Sequence, residues 1–121
     1  MVTGGLRRRE VMEHVLETGG ADMIGLGRPL CIETDGPNQL LAGTDELGRY
    51  ENSLSLLPKW LMWLTRFNTV RTINSFATQF WFYEQIANIG RTGTVDNNLS
   101  VFSATLAQQK AAGAWVKARN R

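Results

Sequence analysis

The chain has 121 residues, a formal net charge of +2, 43% hydrophobic residues, one cysteine and one histidine. This length supports one small domain with a core, and a single cysteine with a single histidine excludes an internal disulfide or an ordinary zinc site built from this chain alone. No apolar run approaches the ~18 residues of a membrane span, and the first residues lack the apolar region of a signal peptide, so a cytoplasmic protein is expected.

The first thirty residues have the pattern of a strand, a helix and a second strand. Residues 1–3 are mostly apolar and include β-branched side chains, which favours a strand. Residues 7–18 place their apolar side chains on one face and their charges on the other, which predicts an amphipathic helix. The apolar run 23–26 is too short for a helix and predicts a strand buried on both faces, as in a parallel sheet.

A glycine-bearing turn follows each predicted strand. Gly4 and Gly5 follow the first, and Gly27 and Arg28 follow the second. Because parallel strands joined by a helix form a right-handed crossover, both turns are expected at the same edge of the sheet. Glycines leave backbone N–H groups open to a ligand, an arginine offers a fork of donors for phosphate, and Pro29 suits the first turn of a short helix whose start favours an anion. These turns therefore predict a phosphate site; alternatively, the glycines serve only the backbone turns and Arg28 is solvated or paired with a carboxylate.

Residues 1–43 contain three motifs in order: Met-Val-Thr-Gly-Gly-Leu-Arg from residue 1, Ala-Asp-Met-Ile-Gly-Leu-Gly-Arg-Pro-Leu-Cys from residue 21, and Gly-Pro-Asn-Gln-Leu-Leu-Ala-Gly from residue 36. Together they resemble the last two strand–turn units of the NADH:flavin oxidoreductases related to Old Yellow Enzyme. The resemblance implies an α/β fold, the C-terminal fragment of a (β/α)₈ TIM barrel with two parallel strands and a crossover helix, followed by a mostly helical extension. A whole barrel of this kind takes about 250 residues.

The resemblance also implies a function. In that family the turns after strands seven and eight hold the phosphate of FMN, which assigns Gly4 and Gly5 to the first turn and Gly27 and Arg28 to the second. The full-length protein would be a flavoprotein that passes a hydride from NAD(P)H to FMN and on to an acceptor, commonly an alkene conjugated to a carbonyl. The family's substrate-orienting and proton-donating residues come from earlier strands, so we assign no catalytic residue and expect this chain alone to be inactive. A non-catalytic helical interaction module and a phosphate-binding barrel of another reaction class are the alternatives.

Three segments are predicted along the chain. Residues 1–43 hold the two strand–turn units, residues 44–57 are polar and predict a surface loop, and residues 58–121 predict a helical C-terminal extension. Residues 1–55 carry five basic against nine acidic groups, whereas residues 56–121 carry eight against two. These eight basic residues are spread singly, which favours a solvated surface or a face complementary to the rest of a barrel, so no nucleic-acid or membrane partner is expected.

Helical spacing predicts three helices in the extension: one from about Pro58, one over about residues 69–89 that ends at Gly90, and one from a cap at Asp96 or Asn97 to about residue 117. Eight of the eleven aromatic residues fall between residues 60 and 83. The spacing favours packing in a core over a cofactor box or a platform for bases. The aromatic helices are also a candidate surface for a homo-oligomer.

Overall fold

The computed structural model describes residues 1–119, which belong to two compact units. The first unit is Met1–Asn52, and the second begins at Ser53. The described residues are 62% helical and contain only two short parallel strands. The prediction of a TIM-barrel fragment is therefore wrong, since no further strand lies beside this pair in the described part of the chain.

The first unit is built around a parallel strand pair with a crossover helix. Val2 pairs with Ile24 and Thr3 with Gly25. The elements in chain order are β1 (Val2–Thr3), α1 (Arg9–Glu17), β2 (Ile24–Gly25), a 3₁₀-helix (Arg28–Cys31), α2 (Gly36–Leu41) and a second 3₁₀-helix (Tyr50–Asn52).

The strands are not buried on both faces. Thr3 and Met23 are exposed, and Ile24 is only partly buried. A small apolar cluster covers one side of β2, where Ile24 and Leu26 pack against the buried side chains of Met12, Leu40 and Leu47. Burial of both faces requires covering layers on each side of a sheet, and a two-stranded pair with one cluster supplies only one.

The segment that the sequence places in a surface loop closes this core. Leu47 is among the most fully buried side chains of the unit, and its N–H donates to the carbonyl of Arg7 at 3.0 Å. Arg8 and Glu46 form an isolated antiparallel bridge, and the N–H of Arg9 donates to the carbonyl of Asp45 at 2.8 Å. The chain before α1 is thereby fixed against the segment after α2.

The second unit consists of a 3₁₀-helix (Lys59–Arg66), α3 (Asn68–Thr92) and α4 (Val101–Arg119). α3 continues through Gly90 and ends at Gly93, whose φ of 76° is the left-handed conformation that commonly ends helices. α4 begins later than predicted. The hydroxyl of Ser100 accepts the N–H of Ser103 at 3.0 Å and so caps it, whereas the Asp96 carboxylate accepts the N–H of Asn98 at 2.9 Å in the preceding turn.

Buried polar side chains of α3 fix the connection to α4. Gln85 is 1% exposed, its amide donates to the carbonyl of Asp96 at 2.7 Å, and its oxygen accepts the N–H of Asp96 at 2.9 Å. The indole N–H of Trp81 donates to the carbonyl of Leu99 at 2.7 Å. Glu84 accepts hydrogen bonds from Arg91 at 2.7 Å and from Gln108 at 3.0 Å.

The aromatic residues divide between core and surface. Trp81 and Phe82 are buried and meet edge to face, with ring centroids 5.3 Å apart. Trp60, Trp63 and Phe67 are instead exposed. The prediction of core packing is correct for the first pair and wrong for these three residues and for Phe76 and Tyr83 of α3, which are also exposed. None of the helices in residues 1–119 combines the length and apolar character needed to cross a bilayer.

Candidate functional site

The parallel register brings the two glycine turns to one edge of the strand pair. Thr3 and Gly25 are register partners, so both strands end there side by side. Gly4 and Gly5 follow directly in one turn, and Gly27 begins the other. The crossover connection therefore produces the convergence of turns that a shared ligand site needs.

No neighbouring atom occupies the side-chain position of these glycines. Gly4 and Gly5 have φ of 102° and 74°, a conformation that L-residues with a side chain rarely adopt. A Cβ atom at Gly4, Gly5 or Gly27 would meet no other atom within 4 Å. The positive φ angles alone explain why residues 4 and 5 are glycines. Gly27 has φ of −117°, so its backbone conformation does not require a glycine.

Arg28 pairs with a carboxylate that is far away in sequence. Its Nη1 lies 3.6 Å from Oε1 of Glu51, and its side chain is 51% exposed. The same carboxylate oxygen accepts a hydrogen bond from Nη2 of Arg7 at 3.0 Å. Arg7 is only 4% exposed, its Nη1 donates to the carbonyl of Leu6 at 2.9 Å, and its buried Nε has no hydrogen-bond partner in the described residues.

The Arg7–Glu51–Arg28 cluster carries one net positive charge at neutral pH. Partial burial by itself raises the pKa of Glu51, but a hydrogen bond from its own backbone and the charges of Arg28 and Arg7 outweigh this, so the pKa lies below its usual 4.5. Glu51 thus stays ionised and holds the buried Arg7. The contact to Arg28 is longer and half exposed, and exposed pairs contribute only about 0–1 kcal/mol, so a dianion can compete for this guanidinium.

Sequence reasoning missed Arg7 and Glu51. The run Arg7-Arg8-Arg9 predicts a charged helix surface, but α1 begins only at Arg9, and Arg7 lies before it and is buried. Locally, only the apolar neighbour Leu6 on its N-terminal side indicates that Arg7 is buried. Glu51 has no local sign, because it contacts Arg7 across a separation of 44 residues.

A second polar cluster in the first unit has a structural role. The N–H of Gly48 donates to Oε1 of Glu33 at 2.7 Å, and a Cβ at Gly48 would lie 2.5 Å from Cε2 of Tyr50. Burial, followed by the hydrogen bond and charge of Glu33, raises the pKa of Tyr50 to about 12. Tyr50 therefore stays protonated at neutral pH and is not matched to proton transfer there. Burial also raises the pKa of the Cys31 thiol, and residues 1–119 contain no cluster of three metal-binding side chains.

A groove of about 330 Å³ lies between α1 and α2 and does not include any of the four predicted residues. Its lining is mostly apolar and includes Met12, Leu16, Leu26, Leu40 and Leu41. A groove of this composition suits an apolar group and has few donors for an anion. The phosphate prediction therefore depends on the open turns rather than on an enclosed cavity.

No protein-family model matches this chain, and no curated protein or solved structure is significantly similar to it. The resemblance of residues 1–43 to NADH:flavin oxidoreductases therefore stays a prediction from sequence motifs.

Proposed function

We propose that the turns after β1 and β2, together with Arg28, bind a phosphate dianion, and that this is the phosphate of FMN in an NAD(P)H-dependent flavin oxidoreductase. The observation that carries the proposal is the parallel register, in which Thr3 and Gly25 are partners and both turns leave the same edge. The sequence motifs supply the identity of the ligand.

The residues present fit a phosphate group. Backbone groups at Gly4, Gly5 and Gly27 have open space beside them, and Arg28 would supply a charge-assisted contact. A phosphate carries about −1.5 to −2 charges at neutral pH, whereas Glu51 carries one, so the phosphate is the stronger partner for an exposed guanidinium. When bound, FMN would supply the acceptor of a hydride from NAD(P)H. The chain's own part is to anchor that cofactor.

We also propose that the protein is cytoplasmic, and we assign no catalytic step to this chain. A cytoplasmic location agrees with the presence of a single cysteine, Cys31, because proteins of reducing compartments rarely contain disulfides. No residue of this chain is assigned to proton donation or substrate orientation.

The test compares the binding of FMN with that of riboflavin, which has the same ring system without the phosphate. Quenching of flavin fluorescence on titration with the 121-residue protein measures both affinities. We expect FMN to bind at least about tenfold more tightly, because one charge-assisted contact contributes ~1.5–3 kcal/mol and 1.4 kcal/mol is tenfold.

Two arginine variants identify the source of that difference. Arg28→Ala should remove most of the preference for FMN. Arg49→Ala is the matched control, because Arg49 is 50% exposed and also pairs with a carboxylate, Glu46, at 2.8 Å. Equal affinities for FMN and riboflavin, or equal losses in the two variants, would contradict the proposal.

A further inference from the structure

The second unit presents two tryptophans side by side on its surface. The 3₁₀-helix Lys59–Arg66 has about three residues per turn, so Trp60, Trp63 and Arg66 lie in one row. Trp60 is 75% exposed and Trp63 59% exposed. Leu61 and Leu64, on the other side of the helix, are partly buried. The helix thus has a partly covered leucine side and an open tryptophan side.

The residues near these tryptophans in sequence are basic or uncharged. Lys59 and Arg66 stand at the two ends of the helix and are exposed, and Phe67, also exposed, follows at once. The sequence from residue 52 to residue 83 contains no aspartate or glutamate. We call Lys59, Trp60, Trp63, Arg66 and Phe67 the aromatic–basic surface.

The charge of this surface selects its partner. A second copy would present the same cations and no carboxylate within residues 52–83 to offset them, so pairing of two such surfaces brings like charges together. An anionic partner removes this repulsion. A short convex helix with an open row of side chains also matches a flat surface better than a narrow groove.

We propose that the aromatic–basic surface binds an anionic lipid surface, with the Lys59–Arg66 helix lying in the interface. Indole rings prefer the boundary between headgroups and acyl chains, and lysine and arginine interact with acidic headgroups. This mode is peripheral and does not need a helix that spans the bilayer. It departs from the sequence-based expectation of no membrane partner, and it is independent of the proposed flavin function.

The experiment is co-sedimentation of the 121-residue protein with vesicles of phosphatidylcholine alone and of phosphatidylcholine with phosphatidylglycerol. We expect binding to the anionic vesicles, a decrease with added salt, and a blue shift of tryptophan emission. Trp60→Ala/Trp63→Ala should weaken binding by about tenfold or more. Lys59→Gln/Arg66→Gln should weaken it by about fivefold for each cation removed.

The control pair is Tyr83→Ala/Ile86→Ala. These side chains are also exposed, but they flank the acidic residue Glu84 and lie outside the aromatic–basic surface, so binding should not change. Every substituted side chain is exposed, so each variant should fold, and circular dichroism checks this. Equal binding to both vesicle types, equal losses in the control pair, or self-association in place of vesicle binding would overturn the proposal.

Discussion

Glu51 is the residue at which the stability of the first unit and its affinity for an anion have opposite requirements. Its carboxylate accepts Nη2 of Arg7 at 3.0 Å and lies 3.6 Å from Nη1 of Arg28. Glu51→Gln removes the negative charge but keeps the size of the side chain and one acceptor oxygen. We expect this substitution to destabilise the first unit and to strengthen phosphate binding.

The structure sets the size of both effects. Removing one partner of a buried ion pair costs about 3–5 kcal/mol. Glu51 is 22% exposed and the glutamine oxygen still accepts a hydrogen bond, so we expect a loss of about 1–2 kcal/mol. When phosphate binds, Arg28 gives up its half-exposed ion pair with Glu51, and this pair contributes at most about 1 kcal/mol. Phosphate affinity should therefore rise by up to about fivefold.

The assay must report on the first unit alone. All four tryptophans, Trp60, Trp63, Trp81 and Trp115, lie in the second unit, so the first unit has no tryptophan of its own to report its opening. Amide hydrogen exchange at Leu47 reports this opening, because its N–H is bonded to the carbonyl of Arg7 at 3.0 Å. A titration with inorganic phosphate measures the affinity of the same sample.

Glu46→Gln is the control for this substitution. Glu46 pairs with Arg49 at 2.8 Å, and both side chains are about half exposed, so exchange at Leu47 and phosphate affinity should change little. If Glu51→Gln leaves exchange at Leu47 unchanged, or weakens phosphate binding, Glu51 does not have the role described for it in the Arg7–Glu51–Arg28 cluster.

Three further predictions follow from buried contacts. Gln85→Leu loses both hydrogen bonds to the backbone of Asp96 and should destabilise the second unit by ~1–3 kcal/mol; an unchanged urea midpoint of tryptophan emission would contradict this. Gly48→Ala places a Cβ 2.5 Å from Cε2 of Tyr50 and 2.7 Å from Oε1 of Glu33. Both side chains must move, which weakens the hydrogen bond from the Gly48 N–H to Glu33, so the first unit should lose ~1 kcal/mol of stability, seen as faster amide exchange. The folded pKa of Glu51 lies below its usual 4.5, so the stability that ionised Glu51 gives the first unit is present above pH 4.5 and is lost as the pH falls through the folded pKa. Glu51→Gln should remove this loss, so that amide exchange in the variant depends less on acid. An identical pH profile for the variant and the original protein would contradict this.

Local sequence patterns predict the helices and strands whose conformation is set by residues close together in the sequence. The spacing of apolar side chains over residues 7–18 predicts α1, which forms over Arg9–Glu17. The two glycine-terminated apolar runs predict strands, and both strands form as pairs of residues in parallel register. Such patterns report the conformation of a segment and the side on which its apolar residues lie.

The same patterns do not report what covers that side. The apolar run 23–26 has the composition of a fully buried strand, but no third strand lies beside β2 in the described residues. Helical spacing places Trp60 and Trp63 together, yet both are exposed. Burial depends on contacts between distant segments, and so does the ion pair of Arg7 and Glu51, which no local periodicity predicts.

The most direct test of the anion site is an NMR titration of the ¹⁵N-labelled protein with inorganic phosphate. We predict that the backbone amide signals of Gly4, Gly5 and Gly27 shift together with a single dissociation constant, and that Arg28→Ala weakens all three responses. Shifts in only one of the two turns, or shifts confined to the basic residues of the second unit, would contradict a shared site at the edge of the strand pair.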